Sequence, residues 1–120
     1  MPKHFFKELE TLKKELLALT TTVEESLENA ITALRKRDPA LAQGVIAQDE
    51  EIDEREVALE EECLKMLALY QPVATDLRLV IGVLKMNNDL ERIGDLCVNI
   101  AERAAFLSKD SPVTIPFDFE

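Results

Sequence analysis

Hydrophobic residues recur every three or four positions along three long stretches of the chain. In the first stretch, which ends near residue 37, the apolar positions are Phe5, Leu9, Leu12, Leu16, Leu19, Val23, Leu27, Ala30 and Leu34. This spacing places them on one face of an α-helix that is about 45–50 Å long. Similar spacing over residues 39–70 and 73–107 predicts two further long helices.

Proline marks the two places where this periodicity is interrupted. At Asp38-Pro39 the aspartate is suited to cap a new helix N-terminus, and the proline is suited to its first turn. Gln71-Pro72 predicts the same arrangement between the second and third helices. Two short connections between three long helices predict an all-α fold, an up-down-up three-helix bundle over residues 1–107.

The third predicted helix carries two organised faces. Its apolar stripe has the alternating spacing of a bundle seam and consists of Met86, Leu90, Ile93, Cys97, Ile100, Ala104 and Leu107. A polar stripe runs beside it within a sector of about 80°. The polar stripe comprises Asn88, Glu91, Asp95, Asn99 and Glu102.

Negative charge is concentrated in the second predicted helix. The chain has a formal net charge of −10, and residues 48–62 read QDEEIDEREVALEEE. Such acidity argues against a nucleic-acid partner, because phosphate neutralisation requires a basic stripe, and it favours cations or basic proteins. No run is apolar enough for a membrane span or a signal peptide. We therefore expect a cytoplasmic protein without membrane insertion.

Helix register brings two pairs of carboxylates to the same height. If the second and third helices reverse near Gln71, the numbers of neighbouring residues sum to about 142. The pairs Asp49 with Asp53 and Glu91 with Asp95 then converge on one surface patch. Mutual repulsion is expected to raise the folded-state pKa values of these carboxylates.

Such a patch allows three interpretations. It could bind a hard cation through oxygen ligands, take part in acid–base catalysis, or be a solvated acidic helix face. Catalysis has the least support, because no nucleophile lies beside a base and the single histidine, His4, lies far from the acids. Oxygen ligands favour iron, manganese or magnesium over zinc. Outer candidates for the same site are Glu56, Asn99 and Glu102.

Three motifs of the chain resemble the PhoU family of phosphate-signalling proteins. They are Asp-x-x-Ile-Asp at residues 49–53, Gln-Pro-Val-Ala-x-Asp-Leu-Arg at 71–78 and Asp-Leu-Glu-Arg-Ile-Gly-Asp at 89–95. The resemblance covers residues 1–107. It implies a non-catalytic negative regulator of phosphate uptake, which acts between the ATPase of a phosphate ABC transporter and a sensor histidine kinase. It also implies metal binding, because the family's Glu/Asp-x-x-x-Asp pairs correspond to Asp49, Asp53, Glu91 and Asp95.

The acidic surface and the family resemblance together suggest a partner-binding face on the second and third helices. We expect the acids Glu50, Glu54 and Glu61 to meet a basic partner surface. Arg92 is expected either to neutralise nearby carboxylates or to contact the partner. Two other functions stay open, a divalent-metal-binding helical protein and a structural interaction module, both without a signalling role.

The last segment of the chain breaks the helical pattern. Residues 108–120 contain two prolines and lose the apolar period, so we expect an extended linker or tail. Typical members of the PhoU family, which the chain resembles, have two three-helix repeats, whereas this chain has one. A homodimer would supply the missing packing, with Phe117 and Phe119 as candidate contacts.

Overall fold

The computed structural model describes residues 2–109, without the side chain of Lys109, and consists of three α-helices. Their bounds are α1 (Lys3–Lys36), α2 (Pro39–Tyr70) and α3 (Ala74–Lys109). The bundle is 61 Å long and 24 by 17 Å across. The predicted all-α three-helix fold is therefore confirmed. Helix α3 continues two residues beyond the predicted boundary at 107, and the rest of the predicted tail, with Phe117 and Phe119, lies outside the described residues.

The first junction forms as its sequence predicts. The Asp38 side chain accepts a hydrogen bond from the Leu41 backbone N–H at 3.1 Å, and Pro39 lies in the first turn of α2. Helix α1 ends at Arg37, whose φ of 52° is left-handed. This residue turns the chain away from the helix axis, so the next helix begins after a single capping residue.

The second junction differs from its prediction. Gln71 ends α2 in a left-handed conformation with φ 44°, and α3 begins only at Ala74. Pro72 is buried between the helices and is not in the first turn of α3. The reason is that the chain needs additional residues to reverse its direction after the left-handed cap. The Leu77 N–H then bonds to the Val73 carbonyl at 3.4 Å.

The core divides into two clusters of different side-chain size. One cluster contains large aliphatic and aromatic side chains such as Phe5, Leu19, Ile52 and Met66. The other lies towards the α1–α2 junction and is built mainly from alanine, together with Val45 and Cys97. Both cysteines of the chain, Cys63 and Cys97, are buried thiols, one in each cluster.

Helix α3 packs through a column that contains only part of the predicted stripe, since Leu90, Cys97 and Ala104 are buried as predicted. The buried column consists of Val80, Val83, Asn87, Leu90, Gly94, Cys97, Ala101 and Ala104. Met86 and Ile93, which the apolar pattern assigned to the seam, are 57% and 36% exposed. The prediction was wrong here because Asn87 and Gly94 occupy core positions that an apolar pattern does not reveal.

Candidate functional site

Carboxylates from two helices line the groove between α2 and α3. We call this the acidic groove and define it by Asp49, Asp53, Glu56, Glu91 and Asp95. Four of these residues border a cavity of about 260 Å³, together with Val57 and Glu60. The fifth, Asp49, lies near enough to Asp53 and Asp95 for their charges to raise its pKa. The structure therefore brings the two predicted carboxylate pairs to one place.

The register between α2 and α3 agrees with the sequence prediction. The side chain of Asn87 on α3 donates a hydrogen bond from Nδ2 to the backbone carbonyl of Glu56 on α2 at 2.8 Å. The two residue numbers sum to 143, close to the expected value. Asn87 is itself buried, and its Oδ1 has no partner in the described part of the chain. Sequence reasoning missed this residue because it considered only its neighbour Asn88.

Glu56 lies deepest in the acidic groove. It is 4% exposed, and neither of its carboxylate oxygens has a hydrogen-bond partner among the described residues. Burial raises the pKa of Glu56 to about 8, and repulsion from Asp53 and Glu91 adds to the shift. The carboxyl group is therefore mainly protonated at neutral pH.

Sequence reasoning did not reveal how deeply Glu56 is buried. The missed signal is the spacing of the α2 core, in which Val45, Ile52 and Leu59 alternate with two acids. Asp49 and Glu56 fall at the intervening seam positions, three or four residues from these apolar neighbours. The expectation that Glu56 is an outer ligand of the site stays a prediction.

Asp49 is the second acid whose titration the groove alters. Burial is the largest cause that raises the pKa of Asp49 to about 6, followed by the charges of Asp53 and Asp95. Raised carboxylate pKa values were expected from repulsion. Raised pKa values occur at Asp49 and Glu56, where loss of hydration on burial is the largest single cause and repulsion from neighbouring carboxylates adds to it.

Gly94 leaves room beside the buried carboxylates. A methyl group at this position would lie 3.8 Å from Asp49 Oδ1 and 4.0 Å from Glu56 Oε1. These are ordinary contact distances, so alanine would fit, but its methyl would fill the space next to both acids. Gly94 thus leaves the space between α3 and these two acids unfilled.

Two outer candidates lie outside the acidic groove. Asn99 and Glu102 are exposed, and they border a separate depression of about 600 Å³ with Arg103 and Phe106. Since this surface is farther along α3, the structure does not bring Asn99 or Glu102 together with the carboxylate pairs.

The predicted partner-binding residues lie on the outer surfaces of their helices. Glu50, Glu54 and Glu61 are exposed on α2. Arg92 lies 3.7 Å from Asp89, and both side chains are largely exposed. Within residues 2–109 no ion pair joins Arg92 to a member of the acidic groove. Arg92 therefore lies beside a nearby carboxylate, in line with one of its two expected roles, but that carboxylate is outside the acidic groove.

The donor set of the acidic groove suits a hard cation. Within the described residues no three Asp, Glu, His or Cys side chains are already arranged to hold a metal ion. Asp53, Glu91 and Asp95 are exposed and have rotamer freedom, whereas Glu56 contributes a buried carboxylate without a partner. All these donors are oxygens, which Mg²⁺, Mn²⁺ and iron accept. The residues fit such an ion if their side chains rotate inward.

Comparison with known proteins shows that the chain is similar to PhoU proteins. The family model described as "PhoU domain" matches residues 16–104. A phosphate-specific transport system accessory protein PhoU homolog from Aquifex aeolicus is 45% identical over 108 residues, which are 90% of this chain and 49% of that protein. A PhoU homolog from Thermotoga maritima is 43% identical over 89% of this chain and 46% of its own length.

A solved structure shows the same similarity in three dimensions. The crystal structure of PhoU from Pseudomonas aeruginosa matches with a TM-score of 0.85 and 43% identity, over 88% of this chain and 50% of that chain. The chain thus spans about half the length of the relatives it matches. Among its described helices, none has a stretch long and apolar enough to cross a membrane.

Proposed function

Because the chain belongs to the PhoU family, we propose that it is a non-catalytic regulator of phosphate transport in the cytoplasm. In this proposal it acts as an adaptor between the ATPase of a phosphate ABC transporter and a sensor histidine kinase. The observation that carries the proposal is the family match over residues 16–104, since the matched relatives are named as accessory proteins of phosphate-specific transport systems. The chain covers about half the length of those relatives, so the partner proposal is tested with this chain itself.

The proposed partner surface is the outer face of α2. This helix contains nine acidic and two basic residues. Glu50, Glu54 and Glu61 are exposed there and suit a basic patch on the partner. Complementary charge mainly accelerates association and makes its rate sensitive to salt. Arg92 and Asp89 form an exposed pair on the neighbouring helix, and Arg92 is a further candidate for the partner contact.

Association rates test the adaptor proposal. The purified transporter ATPase and the cytoplasmic part of the kinase are each passed over the immobilised chain at several salt concentrations. The triple variant E50K/E54K/E61K should associate more slowly with at least one of them, and salt should slow the wild type more than the variant. A matched control, E24K/E25K/E28K, makes the same charge change on exposed sites of α1. If neither partner binds the wild type, the adaptor role is refuted. Equal slowing by the control variant would refute α2 as the partner surface.

We also propose that the acidic groove binds a hard cation through Asp49, Asp53, Glu91 and Asp95. Iron, manganese and magnesium fit this donor set better than zinc. The support is the buried carboxyl of Glu56, which lies beside these residues and has no hydrogen-bond partner within residues 2–109. A bound cation would supply positive charge that offsets the cost of ionising Glu56 and reduces repulsion across the groove.

Metal analysis tests this second part. Protein purified without chelator is analysed for metal, and thermal melts are recorded with and without added manganese, magnesium or iron. The variant D53N/D95N should lose the metal response, whereas D76N/D89N, which removes two aspartates of α3 outside the groove, should keep it. A wild type that contains no metal and melts as the double variant does would identify a solvated acidic face.

The two experiments together separate the alternative functions. Metal uptake without binding to either partner favours a metal-binding helical protein that has no signalling role. Neither metal uptake nor partner binding favours a structural interaction module. Partner binding without metal uptake would retain the adaptor role and remove the metal proposal.

A further inference from the structure

Hydrophobic side chains are exposed at the end of the bundle where α1 begins and α2 meets α3. Phe5 of α1 packs edge-to-face against Tyr70, the last residue of α2, with ring centroids 5.4 Å apart, so these segments share one end. Four large hydrophobic side chains lie within about 5 Å of this end along the bundle axis. We call them the apolar tip, and they are Phe6, Leu69, Val73 and Leu77.

The two helix junctions of the chain differ in what they expose. At the apolar tip Val73 is 72% exposed, more than any other large hydrophobic side chain in residues 2–109, and Leu69 is 62% exposed. The junction at the opposite end reads RKRDP over residues 35–39 and exposes polar groups. Connections between helices are normally polar because they lie in water. Hydrophobic side chains at one junction therefore indicate contact with another molecule or surface.

Positive charge surrounds the apolar tip. Four exposed lysine and arginine side chains lie within about 8 Å of the same end along the axis. The two acids at this height, Glu8 and Asp76, are half-buried. This end therefore carries four positive and two negative charges, although the whole chain has a net charge of −10. The four exposed cations are Lys3, Lys7, Lys65 and Arg78.

Apolar side chains among cations match the chemistry of an anionic lipid surface. Hydrophobic side chains enter the boundary between lipid headgroups and acyl chains, and each lysine or arginine adds attraction to the headgroups. The same surface repels the body of the bundle, where acids outnumber cations from Glu10 and Glu62 onward. A flat anionic surface selects this separation of charge along the long axis, whereas a protein partner would need only the local patch.

We propose that the apolar tip docks on an anionic membrane surface, with its four hydrophobic side chains in the headgroup boundary. The contact is peripheral, since none of the described helices is long and apolar enough to cross a membrane. The bundle, which is 61 Å long, then stands away from the membrane. Asp53 of the acidic groove lies about 25 Å above the surface, in water and open to cations. This proposal is independent of the adaptor role.

Vesicle sedimentation with the full chain tests the proposal. The wild type should bind phosphatidylcholine vesicles that contain about 30% phosphatidylglycerol, and should bind pure phosphatidylcholine vesicles at least about tenfold more weakly. L69S/V73S should weaken binding to the anionic vesicles at least about tenfold. The control L17S/V57S removes two similarly exposed hydrophobic groups from the middle of the bundle and should bind as the wild type does.

Charge at the two ends of α1 gives a second comparison. K3Q/K7Q removes two exposed cations beside the apolar tip and should weaken binding to the anionic vesicles severalfold. R35Q/K36Q removes the same charge at the far end of the helix and should leave binding unchanged. Raising the KCl concentration from about 0.1 M to about 0.5 M should weaken wild-type binding, because salt screens the attraction.

A single tryptophan locates the contact independently of affinity. The chain contains no tryptophan, so V73W and L17W each introduce the only one. When anionic vesicles are added, the emission of V73W should shift to the blue and be quenched by brominated lipid. The emission of L17W should not change, because Leu17 lies about 20 Å from the end of the bundle. Circular dichroism verifies that each variant is folded.

Three results would overturn the proposal. They are a wild type that leaves the anionic vesicles unbound, an L17S/V57S variant that binds as weakly as L69S/V73S, and a V73W emission spectrum that vesicles do not change. If the vesicles stay unbound and L69S/V73S associates more slowly with the transporter ATPase, the apolar tip is instead a protein contact.

Discussion

The acidic groove and the apolar groove, which is the exposed hydrophobic side of α3 formed by Leu79, Met86 and Ile93, depart from a simple bundle in opposite ways. At the acidic groove polar groups enter core positions, as Glu56 and the neighbouring Asn87 do. In the apolar groove hydrophobic groups extend beyond the core into solvent, as Met86 and Ile93 do. The comparison shows that one helix can carry buried polar groups, which lower stability, on one side and exposed hydrophobic groups, which lower solubility, on the other. Each departure is expected where another molecule binds.

The largest expected effect is a pH dependence that arises in the acidic groove alone. The folded-state pKa values of Glu56 and Asp49 are raised to about 8 and about 6, so the folded chain binds more protons than the unfolded chain between about pH 4 and 8. The stabilisation is therefore present at low pH and is lost as pH rises through these values. Without metal, the free energy of unfolding should fall across this range, and because solvent screens these two groups in part, the fall should be on the order of 3 kcal/mol, less than the full pKa shifts would give.

Urea titrations in chelator at several pH values measure this effect. The variant E56Q removes the acid while keeping its size, so most of the slope should disappear. The apolar-groove variant M86K serves as the control and should keep the slope of the wild type. An E56Q variant with an undiminished slope would show that Glu56 is not the responsible group.

Cation binding should reverse this loss. At a concentration 100 times its dissociation constant, a cation that binds only the folded chain raises the free energy of unfolding by about 2.7 kcal/mol. The gain should be larger above pH 7 than at pH 5, because protons compete for the same carboxylates. Urea titrations with added manganese measure it. An equal gain in D53N/D95N would contradict binding in the acidic groove.

Apolar replacement of the buried acid should stabilise the metal-free chain. E56M removes a carboxyl for which the described part of the chain supplies no hydrogen-bond partner, and it should add about 1–3 kcal/mol to the free energy of unfolding at pH 7. The opposite exchange in the apolar groove, M86K, should change the stability of the monomer by less than about 0.5 kcal/mol. Denaturation at low protein concentration compares the two. A destabilised E56M would mean that the carboxyl has a partner in solution.

Two glycines of the chain give the smallest and most closely matched comparison. Alanine at either Gly94 or Gly82 should stabilise α3 by up to about 1 kcal/mol through helix propensity. Nothing lies within 4 Å of a methyl at Gly82, whereas a methyl at Gly94 contacts Asp49 and Glu56. Only G94A should therefore weaken the thermal response to metal. Equal metal responses in G94A and G82A would show that the space beside Gly94 is not used.

The sequence predicted the fold well because the residues that begin and end its helices act through local interactions. Asp38 and Pro39 fix one helix start through a cap that needs no tertiary information. The short second junction set the register between α2 and α3 closely enough to bring Asp53 and Glu91 together. Pro72 was placed wrongly, because a left-handed residue before it postpones the start of α3.

The parts of the site that sequence reasoning missed share one physical origin. An apolar pattern identifies a seam only where its members are hydrophobic, and here Glu56, Asn87 and Gly94 are seam residues. As a result, the burial of Glu56 was not predicted, and Met86 was expected in the core. Cation binding at the acidic groove stays a prediction, because burial and charge describe the donors and not their occupant.

The hydrogen bond between Asn87 and the Glu56 backbone has a mechanical consequence. It joins the side chain of one helix to the main chain of the next at the height of the buried carboxyl. If α3 moved along α2 by one turn, about 5.4 Å, the amide would lose this acceptor in a site that water does not reach. Sliding is thus opposed, whereas rotation of exposed acids such as Asp53 and Glu91 is not. A change that begins in the acidic groove would therefore act through side-chain rotation and local charge, while the axial position of α3 relative to α2 stays the same.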